Sequence, residues 1–406
     1  MTFGQSGMIH PSLASMVDAI KGEISRVALH RKFTKAAADF LEKCLNFVLK
    51  QKITDSFPVL DIKLLNHFKR VMIIDSSSWD INSKLKNVFP GSGGCASSAN
   101  CKLQLCYEYL KGTFSFFDIT PGKRPDNSYT HHIPEKIKSN DLILSDLGYF
   151  CLKTFLAIIN KKAFFFSRFS VGTILYHKSD NSSLDLVKYL KKIKNNIHEM
   201  PVKIGKNIKI PCRFICIRAN EQIANERRRK MIKEANKKGR TPSKLNLVLA
   251  GWTLMVTNIP QKQLPPKAAL SLYALRWQIE LIFKQIKSVL RIHKSNTGNE
   301  FRMKCEVYGK LIMAILIHRI HSDINVNLWN NKKRELSMEK LYKRFQERAF
   351  LIMQLFRISF RKVLSYLKQV IPKLINNCLK NKQNSRKTTL EKLYILETDK
   401  NVSLCF

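Results

Sequence analysis

The chain has 406 residues, enough for about two or three domains, and 45% hydrophobic residues, which excludes a wholly disordered polymer. Its 71 Lys and Arg against 30 Asp and Glu leave a formal charge of +41, so a polyanion is the natural partner: neutralising phosphates releases counterions. No apolar run approaches the ~18 residues of a spanning helix, and "MTFGQSGMIHPSLASM" lacks the basic-then-apolar order of a secretory signal, so a cytoplasmic protein without a membrane partner is expected.

From Ser12 to Gln51 apolar residues recur at intervals of three and four with Lys and Arg between them, the pattern of a small basic helical module. At Val71 the texture changes. "VMIIDSSSWDI" reads as a buried strand ending in the carboxylate of Asp75, and "KLQLCYEYL" and "GTFSFFDIT" alternate like paired strands joined at Lys111 and Gly112. A short helical piece around "HHIPEKIKS" precedes a fourth strand, "DLILSDLGYF"; a helix, "LKTFLAIINKK", and a fifth strand, "AFFFSRF", follow. Strand, strand, strand, helix, strand, helix, strand implies an α/β fold, a ribonuclease-H-like mixed sheet flanked by helices.

Between Ser170 and Pro260 further strand-like runs, "IKIPCRFICIRA" and "WTLMVTNI", surround a basic helix, "EQIANERRRKMIKEANKKGR", closed by Gly239 and Pro242. Helical periodicity returns from Lys267 to Leu290, and the rest is mostly helical and basic, with "LIMAILI" (311–317) as a core helix and a polar stretch at "NKQNSRKTT". The ten cysteines contain no C-x-x-C pair, which favours reduced structural thiols over disulfides or zinc.

The segment "YALRWQIELIFKQIK" (273–287) carries more than a packing face needs. On a helix turning about 100° per residue, Tyr273, Arg276, Glu280 and Lys287 share one stripe about 60° wide. Leu275, Ile279, Ile282, Ile286 and Val289 form an adjoining, apolar face. The polar stripe is either a solvated face with an Arg276–Glu280 ion pair or a functional one. Asp75 at the first strand and Asp146 after "LIL" of the fourth tilt the balance, although each also suits a turn, "DSSS" or "SDLGY". Together the three carboxylates supply hard oxygen ligands for two divalent cations about 4 Å apart, the arrangement for in-line phosphoryl displacement.

These residues resemble a known family. "YALRWQIELIFKQIK" matches the Y-x2-R-x3-E-x6-K signature of insertion-sequence-4-type DDE transposases through Tyr273, Arg276, Glu280 and Lys287. "MIIDSSSWD" is similar to the family's first-Asp strand, and Asp146, Gly148 and Phe150 fit its D-x-G-x-[FY] motif. The resemblance implies that Asp75, Asp146 and Glu280 hold two Mg²⁺ ions, with Mn²⁺ as a substitute, for cleavage of a transposon end and transfer of its 3′-hydroxyl to target DNA. It implies that Tyr273, Arg276 and Lys287 grip DNA phosphates. Trp252 resembles a Trp that stacks on a flipped base, against the alternative of strand packing, and "ERRRK" (226–230) either tracks DNA or is a solvated helix face. The implied partners are double-stranded DNA, terminal inverted repeats and target, and a second copy of the chain on that DNA, with the bound protein associated with the nucleoid.

The chain then divides into a basic helical N-terminal region expected to bind DNA (1–68), the first part of a catalytic core (69–169), a β-rich insertion (170–262), the final core helices (263–325) and a basic helical C-terminal region (326–406). A catalytically inactive DNA-binding repressor and a metal-dependent nuclease are the competing functional readings.

Overall fold

The computed structural model describes residues 12–19, 24–50, 60–93, 96–381 and 387–398. The stretch Met1–Pro11, residue Gln51 and the polar segment 382–386, all used above, lie outside them. The elements begin with α1 (Leu13–Ala19), α2 (Arg26–Arg31) and α3 (Lys35–Lys50), followed by β1 (Arg70–Asp80), β2 (Asn100–Glu108) and β3 (Thr113–Pro121). Next come α4 (Ile133–Lys136), β4 (Asp141–Ser145), α5 (Leu152–Asn160), β5 (Phe164–Arg168), β6 (Leu175–His177) and α6 (Leu186–Lys192). Then β7 (Ile197–Ile204), β8 (Ile210–Arg218), α7 (Glu221–Lys237), α8 (Lys244–Leu249) and β9 (Trp252–Thr257) precede α9 (Ala269–Ala274) and α10 (Trp277–Ser288). The chain closes with α11 (Glu300–Lys332), α12 (Met338–Ile358), α13 (Phe360–Asn377) and α14 (Thr389–Thr398). The result is a mixed α/β protein with a large mixed sheet and flanking helices.

The chain divides into two compact units. One takes Met1–Asp61, Ile74–Pro125 and Trp277–Arg386; the other takes Ile62–Ile73, Asp126–Arg276 and Lys387–Phe406.

In the first unit the strands run β3-β2-β1. β2 and β3 pair antiparallel, and the Glu108 carboxylate accepts from the backbone N–H groups of Leu110 and Lys111 at 3.1 and 2.8 Å, which fixes the turn. Gly112 completes it at φ 62°, where a side chain would be strained and a Cβ would strike Ser322 Oγ. Helix α11 is the spine of this unit. Its apolar run 311–317 is almost wholly buried, as its composition predicts, and its Cys305 joins Met16, Leu29 and Ala38 of the N-terminal helices and Phe33 between them in one core cluster. The Ser12–Gln51 pattern is therefore realised as three helices, the second capped by the Ser25 hydroxyl accepting from Ala28 N at 3.1 Å.

In the second unit the order is β1-β4-β5-β9-β8-β7-β6, with Arg70–Ile73 of β1 belonging to it. β4 and β5 are parallel, and each later pair is antiparallel. Helix α5 covers the sheet by stacking Phe155 on Phe165, ring centroids 4.2 Å apart. All six residues of β9 are buried, as a central strand requires, so residues 170–262 continue the sheet outward from β5. The Arg70–Asp141 ion pair closes the β1–β4 end.

Two expectations need correction. Asp75 does not end its strand: β1 runs on to Asp80, because Ser76–Ser78 stay extended and sheet pairing overrides their preference for turns. The 273–287 segment is not one unbroken helix. Leu275 N and Arg276 N donate to Leu272 O and Tyr273 O, tightened contacts three residues back that separate α9 from α10.

The eight described cysteines outside position 95 and the C-terminus are free, and burial pushes the Cys101 and Cys216 thiols up to about 12. Among the described residues no helix is long and apolar enough to cross a membrane.

Candidate active site

The seven sequence-derived residues are distributed over both units. In the first, Asp75 follows four buried residues of β1 and is itself half-buried; its Oδ1 accepts from Ser76 N at 2.8 Å. Glu280 lies in the first turn of α10 and Lys287 in the last. Seven residues apart, the two stand only about 20° apart around the helix. Ile279, Ile282, Phe283 and Ile286 are buried, so the apolar face expected of this helix is present and leaves Glu280 and Lys287 on its flank. Lys287 Nζ donates to Ser78 O at 2.8 Å, which ties the end of the glutamate-bearing helix to the strand that carries Asp75. Burial holds the Lys287 amine below its ordinary value, so the charge is retained at a cost that a nearby anion would offset.

In the second unit Asp146 sits directly after β4, extended at φ −75° and ψ 168°, with no side-chain bond to the 3₁₀ turn that it begins. Its carboxylate is therefore not spent on capping. Tyr273, on α9, donates its hydroxyl to Ser145 O at 3.3 Å and packs edge-on against Phe166, with ring centroids 5.7 Å apart. The Arg276 guanidinium lies 5.9 Å from the Tyr273 ring centre. Burial pushes the phenol up to about 12; Arg276 pulls it down, Asp146 pushes it further up and Arg168 pulls it down. A phenol so placed stays protonated, and its single O–H can donate to phosphate only by leaving Ser145 O. The structure thus brings Tyr273, Arg276 and Asp146 into one electrostatic group, to which the sequence reading had not added Arg168.

Trp252 begins β9 and is 8% exposed, with the Arg218 guanidinium 4.4 Å from its ring centre. That face is occupied. The "ERRRK" run is divided by the fold. Arg227 donates to Ala250 O and Trp252 O at 3.3 and 3.2 Å, and Arg228 donates to Glu221, Asn225 and Leu247 O; both serve to seat α7. Arg229 and Lys230 are exposed.

Among the described residues no group of three or more His, Cys, Asp or Glu side chains is gathered to hold a metal ion. The chemistry of the half-buried Asp75, Asp146 and Glu280 is nevertheless that of hard-cation ligands, carboxylate oxygens that water can still reach. Ser78 and Ser145 were not foreseen as supporting residues. They act through backbone carbonyls, which any amino acid supplies.

Residues 66–316 match a family model described as a transposase DDE domain. The transposase for insertion sequence element IS231E of Bacillus thuringiensis subsp. finitimus is 30% identical over 402 residues, covering 95% of this chain and 84% of that protein. This chain belongs to the DDE transposase family. As a transposase it is an enzyme acting on DNA, which accounts for a charge of +41. The IS231B transposase of Bacillus thuringiensis subsp. berliner is 30% identical over 397 residues, 93% of this chain and 83% of that protein. The IS1151 transposase of Clostridium perfringens is 27% identical over 412 residues, 95% and 85% respectively. The matched transposase domain opens just before β1 and ends within α11, so all seven residues lie inside it.

Proposed function

We propose that this transposase carries out metal-dependent end cleavage and strand transfer of an insertion sequence, in the cut-and-paste manner of the insertion-sequence-4 type. Asp75, Asp146 and Glu280 are the acidic triad and would hold two Mg²⁺ ions, or Mn²⁺ in their place. When bound, such a pair lowers the pKa of water and stabilises the attacking and leaving oxygens of an in-line displacement. Tyr273 presents a protonated hydroxyl, Arg276 a guanidinium fork and Lys287 a partly desolvated ammonium to the phosphates of the transposon end. Trp252 stacks on an extruded base only where the base replaces the Arg218 guanidinium on its face.

The observation that carries this reading is the family match over residues 66–316, which contains the three carboxylates together with the Y-R-E-K residues. The mixed sheet is compatible with a ribonuclease-H-like core spanning 69–169 and 263–325, with 170–262 as its insertion, the basic N-terminal region 1–68 on DNA and a basic helical C-terminal region 326–406. The partners are then terminal inverted repeats and target DNA bridged by a homodimer, and the protein works in the cytoplasm on the nucleoid.

The test is incubation of the purified chain with Mg²⁺ and a duplex carrying the element's inverted repeat. Cleavage and joining are expected, with loss of both in Glu280→Ala. Binding with no cleavage in Mg²⁺ or Mn²⁺ would leave a DNA-binding repressor, and cleavage with no joining a nuclease.

A further inference from the structure

Within the first unit, cationic side chains converge on one short segment, Arg291–Gly298, between α10 and α11. Arg291 opens it in the left-handed conformation, φ 50° and ψ 44°, which is costly for a residue with a side chain. Its carbonyl accepts from Lys310 Nζ at 2.9 Å, and Lys310 is 1% exposed, so an ammonium is kept in the core behind the segment. Ile292, 1% exposed, anchors a 3₁₀ turn that leaves Lys294 in solvent. Asn82 Nδ2 donates to Asn296 O at 3.2 Å, and Gly298 lies so close to Lys84 that an added Cβ would come within 2.9 Å of its Cδ. A further lysine stem is therefore packed along the same segment.

The dipole at the end of α10 accounts for one cation in its last turn, Lys287, but not for a buried Lys310 or for Lys294 beyond the helix. Glu306, the acidic group that acts on Lys310, is held by Arg302 at 2.9 Å. Among the described residues no carboxylate makes an ion pair with Lys84, Lys287 or Lys294. Between these lysines lies His293, whose Nδ1 is buried with no hydrogen-bond partner. Burial, then Lys294, Lys287, Lys310 and Arg291 hold its imidazole below the ordinary value.

We propose that Arg291–Gly298 is a phosphate-binding segment for duplex DNA, in which Lys294 and His293 contact one backbone phosphate and Lys287 and Lys310 supply the positive field behind it. An anion there relieves the crowding of like charges and favours the protonated imidazole that the neighbouring lysines disfavour. The proposal rests on the transposase reading and adds a contact outside the four-residue signature.

The full chain is titrated with an inverted-repeat duplex over a series of salt concentrations. Lys294→Ala is expected to lower the slope of log affinity against log salt by about 0.9, the loss of one phosphate contact. Histidine NMR is expected to show the His293 pKa rising when the duplex is added, and not with inorganic phosphate alone. Melting curves of Lys294→Ala should match the wild type, since this side chain is exposed. An unchanged slope, or a His293 signal unmoved by DNA, in protein that still binds and cuts the duplex would overturn the site and leave the transposase intact. Failure of the wild type to act on the duplex would instead remove the reading on which the site rests.

Discussion

The two units support their share of the signature by different means. In the first, Lys287 leans on a strand carbonyl, Ser78 O, and Glu280 rides on the flank of a helix whose apolar face is sealed in the core. In the second, Tyr273 is wedged by Phe166 and Arg276 and reaches the carbonyl just before Asp146. One relies on a backbone bond to a half-desolvated charge, the other on ring packing around a neutral phenol. Residues that a helical wheel treats as equivalent neighbours therefore differ in what their loss costs.

The largest effect is expected where that difference vanishes. Alanine at Asp75, Asp146 or Glu280 should each reduce cleavage by about 10³-fold or more, several kcal/mol of transition-state stabilisation, while duplex binding persists. A mutant of one unit that kept near-normal cleavage in Mg²⁺ would show that its carboxylate is not a ligand. Trp252→Ala tests the packing of the second unit: removing a large buried ring should cost about 3–5 kcal/mol in denaturant titration. If stability is retained and only a late DNA step fails, the ring's role is on the nucleic acid.

Within the signature, Lys287→Ala should lower cleavage by about tenfold or more, because it removes a charge-assisted contact worth about 1.5–3 kcal/mol. Tyr273→Phe keeps the ring packing and loses one neutral bond, so about fivefold is expected, near 1 kcal/mol. Equal effects in single-turnover cleavage would erase the contrast between the units.

Acid should separate them more gently. His318, 1% exposed in the first unit among Phe114, Tyr107 and Tyr342, has both ring nitrogens unpartnered, and burial holds its pKa well below the ordinary value. His321 is lowered to about 4, again by burial. The folded state then binds fewer protons than the unfolded one, so stability is full above about pH 6.5 and is lost as pH falls below it. Asp323, raised to about 6 by burial, acts in the opposite direction, gaining stability as pH falls through 6 towards 4. His318→Leu is therefore expected to flatten the acid limb of urea-melt stability between pH 7 and 5, and an unchanged limb would place the titration elsewhere.

The strands β1 to β5, the buried run of α11 and the apolar face of α10 were legible because burial leaves runs or periodicities that composition cannot hide. β7 was not: His198, Glu199 and Pro201 interrupt it, and most of its residues are half-buried, so neither alternation nor an apolar run marks it. α6 and α8 are too short for periodicity. Nor could the break before α10 be foreseen, since Leu275 keeps right-handed helical angles, φ −57° and ψ −31°, and only the hydrogen-bond partner changes. Asp75 and Asp146 stood out after apolar runs, and Glu280 by its place on a polar helical stripe. Their neighbours in the fold did not: Arg168 comes from a distant strand, and Arg227 and Arg228 look like DNA contacts until the fold uses them to hold α7 against β9 and α8 respectively.

The bond from Lys287 to Ser78 also bears on how such a gene ages. Because the lysine has a partner inside its own unit, its loss costs the fold a hydrogen bond as well as any contact with DNA. A copy that has lost its glutamate would still tolerate replacement of Lys287 poorly, and a one-residue insertion between the two would swing the amine about 100° away from the strand. On the proposed function Lys287 serves both the fold and the DNA, so its survival in a decaying copy says less about activity than that of Asp75, Asp146 and Glu280.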